Sequence, residues 1–195
     1  MGSGDFNSLK KAYGKGVELR GKTLVIVGFG RIGQALASYA LGAGMTVIGV
    51  NKDRGVVGIG LNIGEHTLTV EVQCTDNLNE VLPHADYLSL HVPKQPNGEA
   101  VIGANEFSRM KKGIRIVNAA RGGVIDENAL LEALENGTVS FAGLDVYNNE
   151  PNPDPRLLNH PKIACTPHIG AATNEAQDRI GEELASLIIA QYGKF

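Results

Sequence analysis

The sequence predicts an α/β fold in which an open, doubly wound parallel sheet carries helices on its faces. Three observations support this. Short apolar runs rich in β-branched residues alternate with segments of helical periodicity along most of the 195 residues. A glycine turn, Gly28-Phe-Gly-Arg-Ile-Gly33, stands between the first run and the first helical segment. Beyond the later runs lie polar or glycine-rich segments: Asn118-Ala-Ala-Arg-Gly-Gly123, Asp145 to Pro151, and Thr166 to Gly170.

Leu24 to Val27 reads as the first strand and Gln34 to Leu41 as the helix after the turn, stopped at Gly42. Met45 to Val50 closes a βαβ unit, whose strands should be parallel and buried on both faces. Gly55 to Thr75 then breaks the alternation. Glycine and asparagine interrupt its first half and Thr67 to Gln73 alternates, so a β-hairpin is expected where a crossover helix would ordinarily run. Tyr87 to Val92, Ile114 to Val117, Phe141 to Val146 and Ile163 to Cys165 read as further strands. Between them Glu106 to Met110 and Glu127 to Glu135 read as helices, the second opened by Asp126 as N-cap and stopped by Asn136-Gly137. Thr173 to Tyr192 is helical, and its stripe of Ala176, Ile180, Leu184 and Leu187/Ile188 should cover apolar surface. Ser8 to Val17 reads as the tail of another helix. Residues 1–7 read as a lead-in, of which Met1 to Gly4 has the character of an appended remnant, and 8–192 as one domain cut from a larger protein.

Composition narrows the function classes. With 43% hydrophobic and 20% charged residues the chain is ordinary globular material. A net charge of −3 and a pI near 6.0 give no general attraction to phosphate backbones or anionic lipid, so neither nucleic acid nor membrane is an expected partner. Cys74 and Cys165 are too few for a disulfide framework and are expected as buried, inert thiols. No apolar run approaches the roughly 20 residues of a membrane span, and the start lacks the pattern of a signal peptide. Gly2 is no myristoylation site, because Phe6 stands where that motif needs Ser or Thr. A cytoplasmic protein is expected, with no metal centre.

The turn residues Gly28 and Gly30 permit a tight bend and close approach of a pyrophosphate, while Gly33 lets the helix lie against the strand. The helix N-terminus then supplies unpaired N–H groups and partial positive charge. An acid is expected at the end of the second strand to bind the adenosine ribose, but Asn51 stands there, 18 residues after Gly33. Asn51 can bond a ribose yet lacks the charge that repels a 2′-phosphate, and Lys52 and Arg54 are cations beside it. NAD is nonetheless expected over NADP.

Arg121, Glu150 and His168 each follow a predicted parallel strand, so they should converge on the sheet edge where such folds bind ligands. A guanidinium, a carboxylate and an imidazole can together hold a carboxylate-bearing substrate and move a proton. Taken singly, each would pass for a surface or loop residue. His91-Val-Pro93 also ends a strand and could wall the cofactor, and a carboxylate at Asp145 could bond the nicotinamide or its ribose.

Taken in order, Leu19 to Thr23, Gly28 to Gly33, His91 to Pro93, Asn118 to Asp126, Gly143 to Pro151 and Pro167 to Thr173 resemble one family. That family is the D-isomer-specific 2-hydroxyacid dehydrogenases, through their nucleotide-binding domain, and the likeness runs from about Ser8 to Ile189. The resemblance implies a Rossmann-type domain that binds NAD, with Arg121 on the substrate carboxylate, Glu150 paired to the histidine, and His168 transferring the proton. It places cofactor contacts on Gly28, Gly30, Arg31, Ile32, Gly33, Asn51, His91, Val92, Pro93, Ala119, Ala120, Asp145, Gly170 and Ala171. Lys112 to Asn118 and Thr173 to Arg179 look like the members that act on phosphoglycerate. The implied reaction is thus oxidation of 3-phospho-D-glycerate to 3-phosphooxypyruvate, opening serine synthesis. Two alternatives remain open, a glyoxylate or hydroxypyruvate reductase and a dinucleotide-sensing interaction module. Members form their reaction site against a second, substrate-binding domain and usually dimerise through the nucleotide-binding one. The resemblance therefore implies a homodimer, and a 195-residue chain that binds cofactor with little turnover. Asn51 and the glycine-rich Gly55 to Thr75 depart from the family pattern.

Overall fold

In the computed structural model, which describes residues 5–14 and 16–193, eight strands form a single sheet in the order β3-β4-β2-β1-β5-β6-β7-β8. β1 (Thr23–Val27), α2 (Arg31–Gly42) and β2 (Thr46–Val50) make the predicted βαβ unit, with Thr23 to Val27 in parallel register on Thr46 to Val50. α1 (Phe6–Tyr13) precedes it. On the other side of β1 the sheet continues in parallel through β5 (Tyr87–Leu90), β6 (Ile114–Asn118), β7 (Val139–Leu144) and β8 (Ile163–Cys165). Strand order reverses at β1 and β5, which creates the crevice where open α/β sheets take ligands.

The expected hairpin forms. β3 (Gly55–Ile63) and β4 (His66–Thr75) pair antiparallel along their whole length, turning at Gly64. Only Gln73 to Thr75 join β2, so most of the ribbon extends past the sheet. The predicted helix Glu127–Glu135 is observed with those bounds as α5, and Asp126 caps it by accepting from the Asn128 and Ala129 amides. α4 (Ala104–Arg109) begins two residues earlier than read. Two short helices were not foreseen, α3 (Leu78–Val81) and α6 (Pro155–Leu158), together with a 3₁₀ turn at Leu82–His84.

Alternation along β1 divides the core. Leu24 and Ile26 pack with Phe29, Ala37 and Ala40 beneath α2, while Val25 and Val27 join Ile116, Leu130, Leu134 and Ala142 beneath α4 and α5. Burial on both faces holds for β1 but not farther along the sheet. On the face turned from α5, Val117 is 46% and Phe141 51% exposed. The terminal helix is observed as α7 (Asn174–Tyr192), capped by Thr173, but among the described residues most of its apolar stripe is uncovered: Ala176 is half-buried, whereas Ile180, Leu184, Leu187 and Ile188 are all exposed. Periodicity identified these amphipathic surfaces, but it carries no information on whether a partner for them lies within the described residues. Cys74 is buried as expected and Cys165 is only half-buried; both thiols are free. No helix among the described residues is long and apolar enough to cross a membrane, and no cluster of metal-ligating side chains occurs among them.

Candidate active site

The candidate residues lie at the carboxyl ends of the parallel strands, in the loops there or, for Arg31 to Gly33, in the first turn of α2. The first loop is Gly28 to Gly33. Gly28 takes φ +93°, and any Cβ there would run into the His91 carbonyl and Val92 of the neighbouring β5 loop. A Cβ on Gly33 would collide with the Gly28 carbonyl, so this glycine seats α2 against the turn. Gly30 borders open space and serves as the N-cap of α2 without a side chain to satisfy the first N–H groups. Those N–H groups fit an anionic pyrophosphate by charge and by hydrogen bonding. Arg31 projects from the same turn, where its guanidinium meets the Glu183 carboxylate of α7 through two 3.3 Å contacts on the protein surface.

Beside this turn Ile32, His91, Val92, Pro93, Ala119, Ala120 and Arg121 line one cavity of about 210 Å³. Seven residues singled out from three separate loops are thereby brought together. The His91 ring lies 2.9 Å from Ser89 Oγ, and burial pushes its pKa down, favouring the neutral imidazole. Arg121 is exposed and its Nη1 donates to the Ala120 carbonyl at 2.6 Å. Asn118 shapes this loop: its Oδ1 accepts from the Ala120 amide at 3.1 Å and its Nδ2 donates to the Arg121 carbonyl at 3.1 Å.

Glu150 and His168 meet one loop further along, with His168 Nδ1 2.8 Å from Glu150 Oε2. The other carboxylate oxygen of Glu150 accepts from the Tyr147 amide at 2.9 Å. The His168 contact, then the Tyr147 amide, hold the Glu150 carboxyl below the ordinary carboxylate range. Glu150 thus stays ionised and occupies Nδ1, which leaves Nε2 of His168 as the atom able to exchange a proton. Tyr147, Pro153, Leu158, Cys165 and Pro167 join the pair around a largely apolar cavity of about 450 Å³.

Asp145 fixes the loop that carries His168. Only 6% exposed, it accepts at 2.6 Å from Thr166 Oγ1, at 2.8 Å from the Ile169 amide and at 2.7 Å from the Gly170 amide. These bonds bracket His168, which sits at φ +57°, a left-handed conformation a non-glycine residue adopts only under constraint. Gly170 also comes close to Ala119, since a Cβ built on it would lie 3.7 Å from the Ala119 methyl. Ala171 follows in the same exposed turn. Burial pushes the Asp145 carboxyl up, but the bonds from Thr166, Ile169 and Gly170 outweigh it and the pKa ends below the ordinary value. Stability from such a group is present above the ordinary carboxylate pKa of about 3.9 and is lost as pH falls through the lower folded value. Asp145→Asn should therefore cost about 1–3 kcal/mol at neutral pH and flatten the acid side of the stability profile, as urea titrations at neutral and acidic pH would register.

Asn51 lies where expected, directly after β2, with its amide donating to the Thr75 carbonyl at 2.9 Å. Sequence reasoning missed the organising roles of Asn118, Tyr147 and Thr166. Asn118 carried a usable signal, an Asn between a strand and a glycine pair. The other two join the neighbouring segments after β7 and β8, the Tyr147 hydroxyl donating to the Thr166 carbonyl and Thr166 Oγ1 to Asp145, and left none.

A family model described as D-isomer specific 2-hydroxyacid dehydrogenase, NAD binding domain, matches residues 2–170. D-3-phosphoglycerate dehydrogenase 2, chloroplastic, of Arabidopsis thaliana is 42% identical over 178 residues, covering 89% of this chain and 26% of that protein. D-3-phosphoglycerate dehydrogenase of Bacillus subtilis is 41% identical over 183 residues, covering 92% and 32%. The chain thus spans about a third or less of the curated relatives it matches. Among solved structures, holo D-mandelate dehydrogenase of Rhodotorula graminis superposes with a TM-score of 0.81 at 29% identity, covering 96% of this chain and 53% of that one. A glyoxylate reductase from Paecilomyes thermophila gives 0.76 at 33% identity, covering 96% and 56%.

Proposed function

The chain belongs to the D-isomer specific 2-hydroxyacid dehydrogenases as their NAD-binding domain, and we propose that the whole protein oxidises 3-phospho-D-glycerate to 3-phosphooxypyruvate. The observation that carries the chemistry is the 2.8 Å Glu150–His168 pair on the same sheet edge as the dinucleotide turn. The Gly28 to Gly33 turn and the α2 N-terminus would hold NAD, which would supply the acceptor for the hydride from C2 of the substrate. His168 Nε2 takes the proton from the C2 hydroxyl, so that one proton and one hydride leave together and a carbonyl remains. The Glu150 carboxylate stabilises the imidazolium until the proton passes to solvent. Arg121, once turned from the Ala120 carbonyl, grips the substrate carboxylate and polarises the C2 oxygen. The homologous phosphoglycerate dehydrogenases, at about 40% identity, support the substrate assignment.

The solved glyoxylate reductase favours a second reading, in which the same trio reduces glyoxylate or hydroxypyruvate. Steady-state assays of the whole protein on a substrate panel separate the two. The proposal expects kcat/KM for 3-phosphoglycerate oxidation to exceed that for the other D-2-hydroxy acids. Efficient glyoxylate reduction without phosphoglycerate oxidation overturns it. A cytoplasmic homodimer belongs to the same reading, and sedimentation showing only monomer would remove the dimer.

A further inference from the structure

The loop after β2 holds a charge arrangement that the reaction does not use. Arg54, three residues beyond Asn51, is gripped from both sides: its Nε meets Asp76 Oδ1 at 2.5 Å and its Nη2 meets Glu80 Oε1 at 2.8 Å. The two acids are themselves well placed. Asp76 follows Thr75, whose carbonyl accepts the Asn51 amide at 2.9 Å, so the ends of β2 and β4 are tied together here. Glu80 accepts from Thr75 Oγ1 at 3.2 Å and from Asn77 Nδ2 at 3.2 Å, while Asn77 caps α3. All three charged side chains are about half exposed and stand at the strand end where an adenosine ribose would be read.

The structure assigns discrimination between NAD and NADP to this clamp, in which Asp76 and Glu80 engage the guanidinium of Arg54 and so withhold it from a 2′-phosphate. The inference rests on the reading of the chain as a dinucleotide-binding domain. One guanidinium against two carboxylates leaves the cluster with a net charge of −1. A 2′-phosphate brought beside it would meet like charge and a guanidinium already paired. The uncharged diol of NAD meets no such penalty and can bond the Asn51 amide group. The clamp thus supplies, from the residue after β4 and from α3, the selectivity that an acid at position 51 would ordinarily supply. It also reverses the meaning of Arg54, which counts as a phosphate ligand only when its acids are removed.

The test is calorimetric titration of the 195-residue chain with NAD and with NADP. The native chain should prefer NAD. Asp76→Asn combined with Glu80→Gln should improve the NADP-to-NAD affinity ratio by roughly tenfold or more. Adding Arg54→Ala to that pair should remove most of the gain, because the freed guanidinium is then absent. Surface ion pairs contribute little to stability, and circular dichroism melts of each variant confirm that the comparison is between folded proteins. An unchanged ratio in the double variant overturns the inference while leaving NAD binding intact. A gain that survives Arg54→Ala undiminished also overturns it, because relief of repulsion alone would then account for selectivity. If the native chain binds neither dinucleotide, the functional reading fails and takes the inference with it.

Discussion

His168→Gln lowers kcat of the whole protein by about 10²- to 10⁴-fold, the range expected for loss of a positioned proton acceptor, while the affinity of the domain for NAD stays within about twofold. The split arises because His168 lies on the β8 loop against Glu150, whereas the pyrophosphate turn is on the β1 loop. Glutamine preserves bulk and polarity but cannot accept the proton. Glu150→Gln should show a smaller loss, since it removes the carboxylate held 2.8 Å from Nδ1 and leaves the imidazole in place. Steady-state kinetics together with calorimetry on each variant would check both. An equal loss of NAD affinity in His168→Gln would mean that the residue supports the cofactor rather than the proton.

Gly28→Ala acts on the opposite side of the site and through the backbone. A left-handed φ of +93° costs an L-residue about 1–2 kcal/mol, and here the added methyl also drives into the His91 carbonyl and Val92. Because β1 and β5 pair in the centre of the sheet, relieving that collision separates the two strands that flank the crevice. We expect destabilisation of about 3 kcal/mol or more, with NAD binding lost, by urea denaturation and calorimetry. Gly30→Ala is the informative comparison. Its Cβ would enter open space, so the fold should persist while dinucleotide affinity falls.

Much of the site was legible because its chemistry lies in contiguous motifs after apolar runs. The glycine turn, the Arg121 loop and the Glu150 and His168 segments each announced a strand end, and parallel strands bring their ends to one edge. The hairpin was legible too, since the alternation of Thr67 to Gln73 fits a ribbon and not a helix. What local pattern could not reveal is what lies across from a residue. Asp145 reads only as a strand-end carboxylate facing a cofactor, whereas both of its oxygens also accept bonds from Thr166, Ile169 and Gly170, more than 20 residues away. Arg54 reads as a free cation beside Asn51, whereas Asp76, just after β4, and Glu80, in α3, hold it. The stripe on α7 and the exposed Val117 and Phe141 show the same limit from the other side, because an apolar pattern signals a need for burial and does not name the cover.

The central claim is that one sheet edge carries both a dinucleotide site and the proton-transferring pair. A crystal structure of the chain with NADH tests it most directly. The account predicts the pyrophosphate over the Gly28 to Gly33 turn and the nicotinamide ring in the cavity lined by Ile32, His91, Ala120 and Arg121, on the side toward His168. A dinucleotide seated elsewhere, or a nicotinamide turned away from His168, would contradict it.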